Sequence, residues 1–237
     1  MAPIHQSDTR NRLLKAMAPE DFARLQLHLE PVALLSQQCL IKPNARTEHF
    51  HFVESGITSI TAEGASGRAE VGMIGREGVT GATPVLLGSD RVPHDHFVQM
   101  PGSALRIGVE VVSAAVHESP SLRRLLLRYV LTEFVQTRQT AFVNATLNIE
   151  PRLARWLLMC HDRVDGDELL LRHEFLSMML GVQRSGVTLA MQQLEGAGRI
   201  RAKRGRITVL DREGLEEVAD GGYGAPEAEY ARLIEGA

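Results

Sequence analysis

Gln183, Arg184 and Ser185 open a segment, QRSGVTLAMQQLEG, in which Arg184, Ser185, Thr188 and Gln192 recur on one helical face while Val187, Ala190, Met191 and Leu194 mark the opposite one. The polar face carries a chemistry. A guanidinium presents two parallel N–H donors that match O6 and N7 of guanine in the major groove. Just downstream, Arg199, Arg201, Lys203, Arg204 and Arg206 crowd the stretch RIRAKRGR, which suits neutralisation of phosphates. Residues 172–212 hold eight basic side chains (Arg172, Arg184, Arg199, Arg201, Lys203, Arg204, Arg206 and Arg212) against three acidic ones, a local charge of +5 within a chain of −3. A basic face on an otherwise acidic chain attracts a phosphate backbone, so double-stranded DNA is the expected partner.

The elements needed to present these residues can be read around them. Phe175, Leu176, Met179 and Leu180 share one face of a helix over His173–Leu180, Gly181 supplies a turn, and a second helix begins near Gln183. Gly196-Ala197-Gly198 ends that helix. Two strands, Ile200–Lys203 and Arg206–Leu210, then turn at Arg204-Gly205, with Ile200, Ala202, Ile207 and Val209 alternating inward. The expected unit is a winged helix-turn-helix, whose second helix lies in the major groove with its N-terminal residues on base edges. An amphipathic helix over Arg152–Val164 and a short strand near Leu169–Leu171 precede it.

Upstream the texture differs. Leu13, Leu14, Met17, Phe22, Leu25 and Leu29 give Arg12–Leu29 a helical pattern that Pro19 can break. From Val32 to about Val109, short apolar runs separated by turn residues predict an antiparallel sandwich or roll with no helical interludes. Ser119-Pro120 then opens a helix over Ser121–Glu150, about 45 Å long at 1.5 Å per residue. One line of residues runs through Leu122, Leu126, Tyr129, Glu133, Gln136, Thr140 and Val143, and a second apolar line through Leu127, Leu131 and Phe134. Two such faces predict that one covers the β-domain and the other a twin helix, making a homodimer. Proline disfavours helix at the residue before it, so Ile149-Glu150-Pro151 is the expected hinge. The fold class is α+β: a jelly-roll-like antiparallel β-roll over 12–118, a long dimerisation helix over 119–150, a winged helix-turn-helix over 151–217, and a tail over 218–237.

Other chemistries find less support. Cys39 and Cys160 are the only cysteines, too few for a disulfide framework or an iron–sulfur ligand set within one chain. The N-terminus lacks a secretory layout and no run of eighteen apolar residues occurs, so no membrane partner and a cytoplasmic location are expected. His49 and His51, with Glu54 nearby, and the pair His94 and His96 raise a rival reading: a metal-binding, cupin-like sensor or enzyme with a winged-helix appendage. No Ser-His-Asp set, P-loop or nucleophile elbow is readable, and an enzyme is not expected.

The order of parts, together with the segment HEFLSMMLGVQRSGVTLAMQQLEGAGRIRAKRGRITVLD, resembles the Crp/Fnr superfamily of bacterial transcription regulators over about Arg12–Glu217. The resemblance implies a cyclic-nucleotide-binding-like sensor that alters the setting of the recognition helices, with RNA polymerase as a further partner. Arg184 matches an arginine that many members aim at guanine. Ser185 stands where glutamate is usual, and Leu189 where a further arginine is usual, which suggests contact with a thymine methyl instead. In the sensor, Glu77 precedes Gly78 rather than following it, and His94-Asp95-His96 replaces the phosphate-binding arginine-containing triplet. The resemblance therefore leaves Glu77, Gly78 and Arg91 as the effector-pocket residues and implies no cyclic AMP, no iron–sulfur cluster and no other cofactor.

Overall fold

The computed structural model describes residues 4–65, 67–171 and 173–236, without the side chains of His173 and Glu174; Arg172, counted above among the basic residues, lies outside them. In chain order the elements are α1 (Arg12–Lys15), α2 (Pro19–Gln26), β1 (Glu30–Leu34), β2 (Cys39–Ile41), β3 (His49–Gly64), β4 (Gly67–Ile74), β5 (Val79–Thr80), α3 (Ala82–Leu86) and β6 (Asp95–Gly108). There follow α4 (Val109–Glu118), α5 (Pro120–Thr146), α6 (Ile149–His161), β7 (Glu168–Leu169), α7 (His173–Leu180), α8 (Arg184–Gly196), β8 (Ile200–Lys203), β9 (Arg206–Val209), α9 (Arg212–Val218) and α10 (Ala225–Tyr230). The class is α+β, with one antiparallel sheet ordered β1-β6-β3-β4, flanked by β2 on β6 and β5 on β3, and a second ordered β7-β9-β8.

The chain forms two compact units. The first holds residues up to Ile60, then Met73–Phe134 and the chain from Glu229 onward. Its main core joins Leu13, Leu14, Phe22 and Leu25 to Phe50, Phe52, Leu105 and Ile107 and to Leu122, Leu126 and Tyr129. A smaller cluster of Leu34, Val53, Ile74, Val98 and Ala104 fills the rest of the sheet. Asn11 fixes where the chain enters: its Oδ1 caps α1 through the Leu14 amide, and its Nδ2 donates to the carbonyls of Val53 and Gly78, each at 2.8 Å. Ser119 opens α5 in the same way, its Oγ accepting from the Leu122 amide at 3.2 Å and donating to Asp21.

The second unit holds residues 61–72 and 135–228, so the tip of the β3–β4 hairpin is counted with α6 to α9 and the start of α10. Leu153, Trp156, Leu157 and Cys160 of α6, Leu176 and Met179 of α7, Val187, Met191 and Leu194 of α8, and Ile200 and Ile207 of the small sheet are all buried.

The stretch Arg12–Leu29 is two helices split before Pro19, where the proline allows a break. Two expectations are corrected. The β-region has a helical interlude, α3, entered through Gly81 at φ 99°. The break after the long helix falls at Leu147-Asn148 rather than at Pro151. Pro151 sits in the first turn of α6, where its missing N–H removes no helical hydrogen bond.

Candidate nucleic-acid interface

The turn between α7 and α8 closes on backbone geometry. Gly181 adopts φ 62°, its amide donates to the Met178 carbonyl, and the Val182 amide donates to that of Ser177. Gln183 then caps α8 in an extended conformation. Helix α8 buries Val187, Ala190, Met191 and Leu194, which leaves Gln183, Arg184, Ser185, Thr188, Leu189, Gln192 and Gln193 exposed along one stripe. Leu189 is 58% exposed, unusual for a large aliphatic side chain on a helix that has a core to enter. Gly186 allows close approach of α6: a Cβ at 186 would lie 2.5 Å from Ile149 Cδ1. From the other side, a guanidinium N–H of Arg152 donates to the Leu180 carbonyl at the end of α7. The N-terminus of α8 is thus held by its own chain while its polar side chains remain outward.

The wing is β8 paired antiparallel with β9, Ile200 opposite Val209 and Lys203 opposite Arg206, turning at Gly205 with φ 76°. Its cations fall into two classes. The side chains of Arg201, Lys203 and Arg204, like that of Arg184, are exposed and make no hydrogen bond or ion pair among the described residues. Arg199, expected with them, instead bonds Asp211 and Glu217, and Arg206 pairs with Glu168 at 2.8 Å. Arg212 is likewise engaged, by Asp162 at 2.9 Å, Glu216 at 3.0 Å and the Tyr223 hydroxyl at 2.7 Å. The Gly214 amide and then Arg199 hold the Asp211 carboxyl below the usual range. The local positive charge is therefore concentrated on the wing tip and the start of α8.

Residues 151–218 match the family of Crp-like helix-turn-helix domains. That match falls on the α6–α9 framework. Residues 151–218 are a Crp-like helix-turn-helix domain. Solved structures agree in fold. A putative transcriptional regulator of the Crp/Fnr family from Eubacterium rectale aligns with a TM-score of 0.69 at 16% identity, covering 88% of this chain and 98% of its own. The c-di-GMP responsive global regulator CLP of Xanthomonas campestris aligns with a TM-score of 0.65 at 16% identity, covering 81% of this chain and 99% of its own. FixK2 of Bradyrhizobium japonicum gives 0.69 at 15% identity, with 80% and 96% covered. No curated protein matches the chain.

In the first unit the neighbours of Glu77, Gly78 and Arg91 are close at hand. Glu77 accepts from the Gly75 amide within its own turn, and the Tyr230 hydroxyl donates to the Glu77 carbonyl at 2.6 Å. Gly78 lies under Tyr129, whose hydroxyl a Cβ at 78 would meet at 2.3 Å. Arg91 forks with Asp90 on the surface at 2.7 and 3.1 Å. A cavity of about 210 Å³ opens elsewhere in the first unit, floored by Phe50 and Val112 and rimmed by Ser113, His117 and Arg123.

The metal reading finds no convergent ligands. His49 and His51 do share a strand face, ring centroids 6.3 Å apart, but both oxygens of Glu54 accept backbone amides, from Arg10 at 2.6 Å and Asn11 at 3.1 Å. Among the described residues no group of three His, Cys, Asp or Glu side chains could hold a metal. Burial lowers the pKa of His51 and of His96 to about 4, so both rings are neutral at neutral pH.

Proposed function

We propose that the chain is a homodimeric regulator that reads a palindromic operator through two copies of α8, in half-sites about 34 Å apart. In this reading residues 12–118 are the sensor, 119–150 the dimerisation segment, 151–217 the DNA-binding domain and 218–237 a tail. The observation that carries it is the outward stripe of Arg184, Ser185, Thr188 and Leu189 beside the uncompensated Arg201, Lys203 and Arg204. Arg184 reads guanine, Gln183, Ser185 and Thr188 make further polar contacts, and Leu189 meets a thymine methyl. Arg201, Lys203 and Arg204 grip phosphates, and Arg206 joins them by exchanging Glu168 for a phosphate. Supporting dimerisation, Leu127, Leu131, Phe134 and Phe142 of α5 are 41–56% exposed in a single chain. Bound promoter DNA then places the regulator beside RNA polymerase in the cytoplasm; among the described residues no helix is long and apolar enough to cross a membrane.

Selection of bound fragments from a random-DNA pool at fixed salt tests the reading, a recovered palindrome supporting it and a set without any shared motif refuting it. On the recovered operator, Arg184→Ala is expected to cost about 1–3 kcal/mol and on random DNA almost nothing. Lys203→Ala is expected to weaken both and to reduce the salt slope by about one. Equal losses on both DNAs for Arg184→Ala would remove it from base readout.

Control by a small molecule bound in the sensor is supported by the cavity beside Arg123 and His117. Its volume exceeds the roughly 150 Å³ that admits benzene and falls below the ~300 Å³ of drug-sized sites, which suits a small, partly apolar anion. Thermal unfolding against a panel of aromatic and short-chain carboxylates tests this. An unchanged midpoint throughout would favour control by abundance alone.

A further inference from the structure

The β3–β4 hairpin takes part in both compact units. Its base carries Phe50, Phe52, Met73 and Ile74 into the first core, whereas its tip, residues 61–72, belongs to the second unit. At the tip the two strands are tied by Arg68 Nε donating to Thr61 Oγ1 at 2.7 Å. Two successive residues of β4 then engage the DNA-binding domain. Glu70 accepts a hydrogen bond from the Trp156 indole N–H of α6 at 2.7 Å, with Glu70 only 7% and Trp156 only 4% exposed. Ala69 lies against the turn of the helix-turn-helix, where a Cβ at Gly181 would come within 3.3 Å of its own.

A buried carboxylate is a costly way to fill space, and an apolar residue would pack the same position more cheaply. What a carboxylate adds is direction, because a charge-assisted hydrogen bond fixes the donor's angle as well as its distance. Trp156 is well placed to transmit that direction. Helix α6 holds both sides of the turn that opens the recognition helix, through Arg152 on the Leu180 carbonyl and Ile149 beneath Gly186. The buried guanidinium of Arg155, one residue from Trp156, also feels the Glu70 charge.

We propose that the hairpin tip positions the helix-turn-helix, with Glu70 acting through Trp156 as the positioning residue for operator recognition. This rests on the DNA-binding reading above. The hairpin is thereby a second connection between sensor sheet and recognition helix, in addition to α5. Misplacing α8 by a fraction of a base step spoils base-edge contacts, which need alignment, and spares phosphate contacts, which tolerate displacement.

The test uses the full-length protein, its selected operator and a random duplex of equal length at one salt concentration. Glu70→Ala is expected to lower operator affinity about tenfold and leave random-DNA affinity unchanged, with the dimer intact. Trp156→Phe gives the same loss, and the double variant no more than either alone. Glu70→Gln, which keeps an acceptor oxygen, recovers most of the discrimination. Trp156 is the only tryptophan, so its emission reports the bond directly and is expected to shift in Glu70→Ala. If Glu70→Ala does not fold, Glu70→Gln and Trp156→Phe carry the comparison. An unchanged ratio of operator to random affinity, an equal loss on both DNAs, or tighter operator binding would each overturn the proposal. Wild-type protein that selects no operator would instead remove the reading on which it rests.

Discussion

Charging the outer face of α5 is expected to give a monomer with at least ~100-fold weaker operator binding. Leu127, Leu131, Phe134 and Phe142 follow one another at spacings of four, three and eight, so they line one side of the helix. Leu122, Leu126 and Tyr129 point the other way and are at most 2% exposed, which places the monomer's own core on the opposite side. Leu131→Glu with Phe134→Glu therefore alters residues that the single chain does not bury, and its folding is expected to survive. In a dimer the same substitutions place four carboxylates in an apolar seam, where unpaired charge is not tolerated. The affinity loss follows from geometry: a dimer binds its second half-site at high effective concentration, a gain of about 10² to 10⁴ that a monomer forfeits. Sedimentation measures the first effect and operator titration the second. A double variant that still sediments as a dimer would show that this face is not the interface.

The expectation of two faces on α5 came from spacing alone, because a helix of 27 residues samples the apolar period many times. Short elements offer no such sampling. Helix α3 spans five residues, ATPVL, and reads as a strand or turn until the tertiary structure closes around Thr83 and Pro84. The end of α5 at Thr146 is hidden from the sequence for a related reason. Proline is a strong signal against helix at the preceding residue, yet it is equally at home in a first turn, and Leu147-Asn148 carries no residue that advertises a break.

At the interface, sequence distinguishes which residues face outward but not which charges are already compensated. Val187, Ala190, Met191 and Leu194 define the inner side of α8, and the outward set follows. For the wing, alternation treats Arg199, Arg201, Lys203 and Arg206 alike. Their difference depends on Glu168, Asp211 and Glu217, which other elements bring within reach. Glu70 and Trp156 lie 86 residues apart, and no local pattern links them. The one cue in the sequence is a glutamate inside the otherwise apolar stretch AEVGMI.

Glu133 makes the stability of the first unit depend on pH. Although the residue as a whole is only partly buried, its carboxyl is desolvated, and this raises its pKa from 4.5 to about 7; Glu77 adds like charge, while hydrogen bonds from Thr83 and Tyr129 act in the opposite direction. Below pH 4.5 the group is neutral whether the chain is folded or not, and it imposes no penalty. Between 4.5 and 7 the unfolded chain releases the proton that the native state keeps, so stability falls as pH rises. Above 7 the full cost is in place, about 3 kcal/mol at 1.36 kcal/mol per unit. Glu133→Gln retains an acceptor for Thr83 and cannot ionise. It is expected to match wild type near pH 4.5 and to exceed it by up to about 3 kcal/mol at pH 8.5. His51 and His96, whose pKa values burial lowers to about 4, act in an overlapping window with the opposite sign: the unfolded chain takes up protons below 6.5 that the buried rings refuse, and stability falls with falling pH. The substitution should therefore remove the Glu133 loss between pH 4.5 and 7 and leave the histidine slope in place. Denaturant unfolding from pH 4.5 to 8.5, at fixed ionic strength and protein concentration, measures the difference between variant and wild type. A difference between variant and wild type that does not change with pH would mean that the native carboxyl titrates at its ordinary value.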